Sequence, residues 1–493
     1  MSTAVLTLDL GTGACKGAIH AANGSLLVEA SQGYPTERPA PLWVEQDADR
    51  WWEAAVAVCR GLLERVPAAA IAGVGFSGQV PTMVLVDADG RALAPAITWQ
   101  DRRAGAEADW LREHVGAPQL GTWLGIDLPV DAAYPPARLL WMRRHQADLL
   151  ARAGRVLMTK EFVLAQLTGA MYSDAWSARG LVNRHTGVAP EAYYAALDVP
   201  SGLAPAIRAP YAVAGIVHRA AAEATGLRAG TPVVTGWSDA LCGMAGTGAL
   251  QADGVSFDLT GTSEIVGCSG KEPSAGVLHI PASVTGGVAV LYGPTQSSGD
   301  SLTWFAGWMG ADVDATVAAA AAVPAGTGGT LFLPYLQGGR APLWNAAARG
   351  ALVGMRRHYG PGYGARAVLE GVAMSVRHVL ETCGAPLGTG AALRVAGGSS
   401  RLDFWNQIRA DVTGMTVEAT AQPNATLLGA AMLAATGTGL YRTMREAAAM
   451  ARVRQAFTPE ADQMACYDAL YGQYRALYEA LSPVFAELAQ FDA

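Results

Sequence analysis

The sequence predicts an α/β protein built from two similarly folded halves. Two observations carry that prediction. Apolar strands bounded by Gly-rich turns alternate with stretches of helical periodicity. A strand that ends in an acidic residue and a Gly-Thr turn also occurs twice: Asp9-Leu10-Gly11-Thr12-Gly13 closes the first, and Asp258-Leu259-Thr260-Gly261-Thr262-Ser263 resembles it with one residue inserted. Thr12 and Thr262 lie 250 positions apart in a chain of 493 residues. That interval fits two like halves, because many-repeat arrays have periods of about 20 to 50 residues.

The elements follow in order. Strands are expected at Ala4 to Leu10, Cys15 to Ala21 and Ser25 to Ala30, the last two joined through Ala22-Asn23-Gly24, whose Asn-Gly pair suits the positive φ of a tight hairpin. A helix over Asp49 to Val66 would bury Trp52, Val56, Cys59, Leu63 and Val66. Strands return at Ile71 to Ser77 and Thr82 to Val86, and helices at Ala137 to Ala153 and Lys160 to Leu167. In the second half, Val255 to Leu259, Thr330 to Leu333 and Ala392 to Ala396 read as strands, with helices at Ala365 to Thr382 and Leu402 to Thr413. A final amphipathic helix, Asp462 to Leu481, carries a stripe of Tyr467, Leu470, Tyr471, Tyr474, Leu477, Tyr478 and Leu481 that reads as packing, and Pro483 is expected to stop it.

Composition narrows the function. With 51% hydrophobic and 16% charged residues the chain has ample apolar surface to bury and is not a disordered protein. A net charge of -7 offers no overall attraction to phosphate backbones, so no nucleic-acid partner is expected. The six cysteines form no CxxC pair, consistent with reduced thiols and against a disulfide framework or zinc site. The opening MSTAVLTLDLGTG lacks the basic and longer apolar regions of a signal peptide, and no run of about 18 apolar residues follows. A cytoplasmic protein without a membrane partner is therefore expected.

Three Gly-rich turns follow strands: Gly11-Thr12-Gly13, Gly261-Thr262-Ser263 and Gly397-Gly398-Ser399. Each alone is compatible with a simple tight turn. All three in one chain suit a divided phosphate and nucleotide site, since glycine permits close backbone approach and N–H groups and hydroxyls suit phosphate oxygens. No Gly-Lys-Ser/Thr loop and no GxGxxG opening a helix occurs, which disfavours P-loop NTPases and Rossmann dehydrogenases. Asp9 and Asp239 are the carboxylates of interest, because phosphoryl transfer needs a cation and a base near the attacking hydroxyl. Asp239 has a structural alternative as a helix N-cap. Lys16 either reaches an anion or extends its ammonium to water.

Taken together, these residues resemble the FGGY family of carbohydrate kinases, the sugar-kinase branch of the actin-like ATPases. The matches run in order through nearly the whole chain: Asp9 to Gly13 with Lys16, Trp43-Val44-Glu45-Gln46-Asp47 followed by Trp51-Trp52, Phe76-Ser77-Gly78-Gln79, Trp99-Gln100-Asp101-Arg102-Arg103, Arg138-Leu139-Leu140-Trp141, Gly236-Trp237-Ser238-Asp239, Gly261-Thr262-Ser263, Phe332-Leu333-Pro334-Tyr335, Arg349-Gly350, Leu369-Glu370-Gly371, and Ala396 to Arg401. The resemblance implies two actin-like (ribonuclease H-like) domains, residues 1–242 and 243–493, with a cleft between them. It implies ATP and Mg²⁺ as cofactors, a small sugar or polyol as substrate, and leaves a homodimer open. Asp239 would be the general base, and Asp9 with Asp239 would hold the metal. Gly11, Thr12, Gly13, Lys16, Gly261, Thr262 and Ser263 would bind phosphates, with Gly397, Gly398 and Ser399 beside the adenosine. Gln79, Val80, Pro81, Thr82, Trp99, Asp101 and Asp239 would contact the sugar.

The resemblance is greatest to members that phosphorylate the ketopentose D-xylulose, with ribulose, an alditol or glycerol as alternatives and an actin-like ATPase without a sugar as a remote one. The chain departs from those members where they carry Gly-Gln-Met-His-Gly: here Gly78-Gln79-Val80-Pro81-Thr82 puts proline in place of a histidine expected to touch the sugar. Gly338-Gly339-Arg340-Ala341 and Arg138 also differ from the usual Gly-Glu-Arg-Thr and lysine. Such changes can redirect specificity without altering the chemistry.

Overall fold

In the computed structural model, which describes residues 3–126, 129–270, 272–285 and 287–491, the chain divides into two compact units. One holds the residues up to Gly246 together with the return segment Thr426–Met450; the other holds Thr247–Ala425 and the chain from Ala451 onward.

The first unit is built on a seven-stranded sheet. Its strands are β1 (Ala4–Leu10), β2 (Ala14–Ala21), β3 (Leu26–Gly33), β4 (Ile71–Gly78), β5 (Val213–Ile216), β6 (Pro232–Val234) and β7 (Trp237–Ser238). The order is β5-β6-β4-β1-β2-β3, and β7 also pairs with β4. β1, β2 and β3 form an antiparallel meander, whereas β4 runs parallel to β1, β6 and β7. Every residue of β1 is buried, as its nearly unbroken apolar run requires of a strand covered on both faces.

The helix Ala48–Leu63 starts where the Asp47 side chain accepts the Asp49 N–H. It buries Trp51, Ala54, Ala55, Val58, Cys59 and Leu62. Of the expected stripe only Cys59 lies on this face; Trp52, Val56, Leu63 and Val66 flank it half-buried. The cause is close approach to the sheet: a Cβ added to Gly17 of β2 would stand 2.3 Å from Val58 Cγ1, so the glycine accepts this face of the helix. The return helix Ala425–Gly437 is apolar on every side, with Leu427, Leu428 and Ala430 to Ala435 all essentially inaccessible. A helix of that kind must be covered all round. At Gly429 it leaves no room for a side chain, where a Cβ would fall 1.8 Å from Cys242 O.

The second unit repeats the plan. Its strands are β8 (Ser256–Thr260), β9 (Glu264–Ser269), β10 (Leu278–Ile280), β11 (Val290–Pro294), β12 (Ala392–Gly397), β13 (Thr416–Thr420) and β14 (Val453–Phe457), ordered β10-β11-β9-β8-β12-β13-β14. β8, β9 and β11 are antiparallel neighbours, and β12 runs parallel to β8, as β4 does to β1. The inserted residue has a consequence: with a side-chain period of two, Asp258 faces the side of β8 opposite to the one Asp9 takes on β1. There it is buried against Arg409, Nε to Oδ2 at 3.2 Å, while Arg409 Nη2 reaches Glu264 Oε1 at 3.0 Å. Burial pushes both carboxyls up, Asp258 strongly, as expected for two acids sharing one guanidinium.

The closing helix, Ala461–Leu488, buries Tyr467, Tyr471, Tyr474 and Tyr478 as the stripe predicts. It does not stop at Pro483. That residue is exposed, so water can take the carbonyl it leaves unpaired, and buried Phe485 anchors the turn beyond it. No described helix is long and apolar enough to cross a membrane.

The Arg409 cluster gives a stability test by urea unfolding. Arg409→Met strands two buried carboxylates and is expected to cost about 3–5 kcal/mol, whereas Asp258→Asn, which removes the surplus negative charge, is expected to change stability by less than about 1 kcal/mol.

Candidate active site

In the first unit the sequence-predicted residues converge at the carboxyl ends of parallel strands, the customary ligand side of such sheets. Asp9 stands level with Ser77 of β4, and Ser77 with Trp237 of β7, so Asp9 and the Asp239 that follows β7 are brought to the same end of the sheet. Lys16, opposite Asp9 on β2, is exposed.

The turn after β1 has a definite polarity. Gly11 O accepts the Tyr34 hydroxyl, Thr12 O accepts Gln46 Nε2 at 2.6 Å, and Gly13 O accepts the Tyr34 N–H at 3.1 Å. All three carbonyls are thus occupied by protein donors. The N–H groups of Thr12 and Gly13 donate to no acceptor among the described residues. The turn after β8 is alike: Gly261 O accepts Gly299 N–H at 3.0 Å, Thr262 O accepts Ser298 N–H at 2.9 Å, and Ser263 O accepts Gly261 N–H at 2.9 Å. Thr262 and Ser263 keep their N–H groups. Both turns therefore withdraw acceptors and offer donors, the requirement for an anion.

The third turn differs. Its N–H groups are spent internally: Gly397 on Pro423 O, Gly398 on Thr260 O and Ser399 on Thr260 Oγ1. Gly397 has φ 106°, and a Cβ there would fall 1.8 Å from Thr260 O. Around Gly398 there is open space. This turn offers a flat backbone surface, while Ser399 Oγ is tied to Arg409 Nη2 at 2.9 Å.

Asp239 opens the helix Asp239–Gly246, and its Oδ1 accepts the Ala240 N–H at 2.7 Å. One carboxylate oxygen is thus held at the start of the helix, by the adjacent N–H and not by the N–H one turn on that a cap would take. Water reaches the carboxylate, yet so much protein surrounds it that desolvation, reinforced by the charge of Asp9, pushes it up to about 6. Asp9 is 9% exposed, burial raises it too, and its Oδ1 has no hydrogen-bond partner. Two adjacent acids, one with an orphaned oxygen, fit a divalent cation. No group of three or more His, Cys, Asp or Glu side chains among the described residues can hold a metal alone. That donor set suits Mg²⁺, which keeps waters and shares substrate phosphates.

Of the residues expected at the sugar, Gln79 is buried: its Nε2 donates to Gln46 Oε1 at 3.1 Å, and its Oε1 has no partner among the described residues. Val80 and Pro81 are half-buried. Buried Thr82 accepts the Trp99 N–H through Oγ1, and Trp99 Nε1 donates to Thr12 Oγ1 at 3.1 Å with its ring 39% exposed. Asp101 is inaccessible and engaged by protein groups: it takes the Val44 N–H at 2.6 Å and Arg103 Nη2 at 2.7 Å. Its carboxylate is saturated and fixes the segment that carries Trp99.

Two buried cations stand close to these segments: Arg138, which the sequence marks only as a departure from the usual lysine, and Lys160, which it does not mark at all. Arg138, wholly buried, donates to Pro81 O at 2.7 Å and to the carbonyls of Ile97 and Thr98. Burial pushes it down to about 9. Lys160, also buried, lies 2.5 Å from Glu161, 3.1 Å from Asp174 and 3.4 Å from Thr235 O, four residues before Asp239.

Comparison with known proteins agrees with this geometry. Residues 4–246 match the N-terminal domain of the FGGY family of carbohydrate kinases, and residues 259–438 match its C-terminal domain. A xylulose kinase of Escherichia coli (strain K12) is 29% identical over 494 residues, spanning 97% of this chain and 99% of the relative. A glycerol kinase of Alkalilimnicola ehrlichii is 32% identical over 457 residues, spanning 89% and 90%. The crystal structure of a xylulose kinase from Rhodospirillum rubrum superposes with a TM-score of 0.85 at 27% identity, over 98% of this chain and 100% of that one. The fold is accordingly that of two actin-like, ribonuclease H-like domains. The chain belongs to the FGGY family of carbohydrate kinases, and it is an enzyme that phosphorylates a carbohydrate.

Proposed function

We propose that this kinase transfers the γ-phosphoryl group of ATP to a ketopentose, D-xylulose first, giving the 5-phosphate. The observation that carries the proposal is Asp239: a water-accessible carboxylate with one free oxygen, pushed up to about 6, beside Asp9 and next to a turn whose carbonyls are withdrawn. A base acts best when its pKa lies near the working pH. The free oxygen of Asp239 accepts the proton of the attacking hydroxyl as its oxygen bonds to the γ-phosphorus and the bridge to ADP breaks. In the first unit the N–H groups of Thr12 and Gly13, with Lys16, and in the second unit those of Thr262 and Ser263, are donors suited to the charge on phosphate oxygens. Asp9 and Asp239 would hold Mg²⁺, directly or through water, and the ion would neutralise part of that charge. Gly397, Gly398 and Ser399 take the adenosine.

D-xylulose is favoured by the xylulose kinases among the relatives. A second reading, a smaller polyol such as glycerol, is favoured by the 32% identity to a glycerol kinase and by Pro81, which replaces a polar contact with an apolar ring. Gln79 Oε1 then accepts a substrate hydroxyl, and Trp99 supplies an apolar wall.

Two outcomes are expected. In coupled assays over D-xylulose, D-ribulose, glycerol, D-gluconate and pentitols, kcat/KM is highest for D-xylulose; a higher value for glycerol would establish the second reading. Asp239→Asn keeps the Oδ1 acceptor but removes the base, and its kcat is expected to fall by about 10²–10⁴ with KM for ATP changed less than about threefold. Wild-type turnover by that variant would exclude Asp239 as base.

A further inference from the structure

Gln46 lies in the segment Trp43 to Asp47, which the chemistry above leaves without a role. It is 1% exposed, and its amide is fully used. Nε2 donates to Thr12 O at 2.6 Å and to Thr36 Oγ1 at 2.8 Å; Oε1 accepts Gln79 Nε2 and Trp51 Nε1, each at 3.1 Å. Two donors and two acceptors account for the whole capacity of a carboxamide. Its orientation is thereby fixed, since a flip would set an oxygen against Thr12 O and an N–H₂ against two donors.

We propose that Gln46 is a positioning residue that holds the first phosphate turn and the sugar loop in one register. It draws the Thr12 carbonyl back, so that the Gly13 N–H of the same peptide plane stays available to an anion. The same side chain takes one N–H of the Gln79 amide and so orients it, with Gln79 Oε1, buried and unpartnered among the described residues, as the group presented to a sugar hydroxyl. Trp99 is a second, independent tie between the two sides, through Thr12 Oγ1. The inference rests on the phosphate and sugar assignments proposed above.

The test separates the two sides of the amide. Gln46→Glu keeps an oxygen for Trp51 and Gln79 but has no donor for Thr12. Gln46→Leu loses both sides. Calorimetric titration of the full-length protein with AMP-PNP and Mg²⁺, and separately with D-xylulose, should show Gln46→Glu weakening AMP-PNP about tenfold while D-xylulose stays within about twofold; Gln46→Leu should weaken both about tenfold. A loss confined to one side is what a merely structural role would not produce. Unchanged AMP-PNP affinity in Gln46→Glu, or an equal loss on both sides, overturns the inference. Should neither Gln46 variant fold, Trp99→Phe decides: the ring is partly exposed, only its Nε1 donor is lost, and AMP-PNP should weaken about threefold, with no change overturning the tie. A wild-type protein that binds no AMP-PNP would instead overturn the phosphate assignment itself. Binding of AMP-PNP but not D-xylulose would overturn the sugar assignment and leave the nucleotide arm to decide on Gln46.

Discussion

A phosphate can be bound by backbone only where the carbonyl oxygens point elsewhere. That constraint organises both units. At Gly11 to Gly13 and again at Gly261 to Ser263, every carbonyl is taken by a protein donor, and the N–H groups of the second and third residues are left over. Most of the donors come from far along the chain, Tyr34 and Gln46 in one unit and the 298–299 backbone in the other, while Ser263 O is held within its own turn by the Gly261 N–H. The turns are thus held by their surroundings, as preorganised donors must be if they are to act without reorganising.

The same economy governs the charged groups. Asp239 uses one oxygen to start its helix and keeps one free, while Asp9 beside it keeps an oxygen with no protein partner. Burial raises the cost of ionising both, the charge of Asp9 adds to it at Asp239, and a cation beside these acids would lower that cost. Lys160, Arg138, Asp101 and Arg409 are charged, buried and bonded to protein groups. They hold the segments around the candidate site: the Thr235 carbonyl before Asp239, the Pro81 and Thr98 carbonyls, the Val44 N–H, and the Ser399 hydroxyl in the third glycine turn.

Much of this was legible in the sequence, and what was not has physical reasons. Asp9, the three glycine turns and Asp239 stand out because turn chemistry is local. The duplication was legible too, although the inserted residue turned Asp258 away from the face that Asp9 occupies. The buried face of the first helix was not, because Gly17 on another strand selects it. Nor was the return of residues 426–450 to the first unit, which only tertiary burial decides, or the helix running past Pro483. Gln46 was invisible as a hub: its four hydrogen bonds reach four different segments, and nothing in the local pattern announces them.

The central claim is that Asp239 accepts the substrate proton. It is tested most directly by the ratio of wild-type to Asp239→Asn rates, measured against pH with both substrates far below saturation, so that the ionisation of ATP cancels. Because the carboxyl must be ionised to act and is held at about 6, the ratio should be level above that pH and fall about tenfold per unit below it. A ratio that stays constant from pH 8 down to about pH 5 would contradict the assignment.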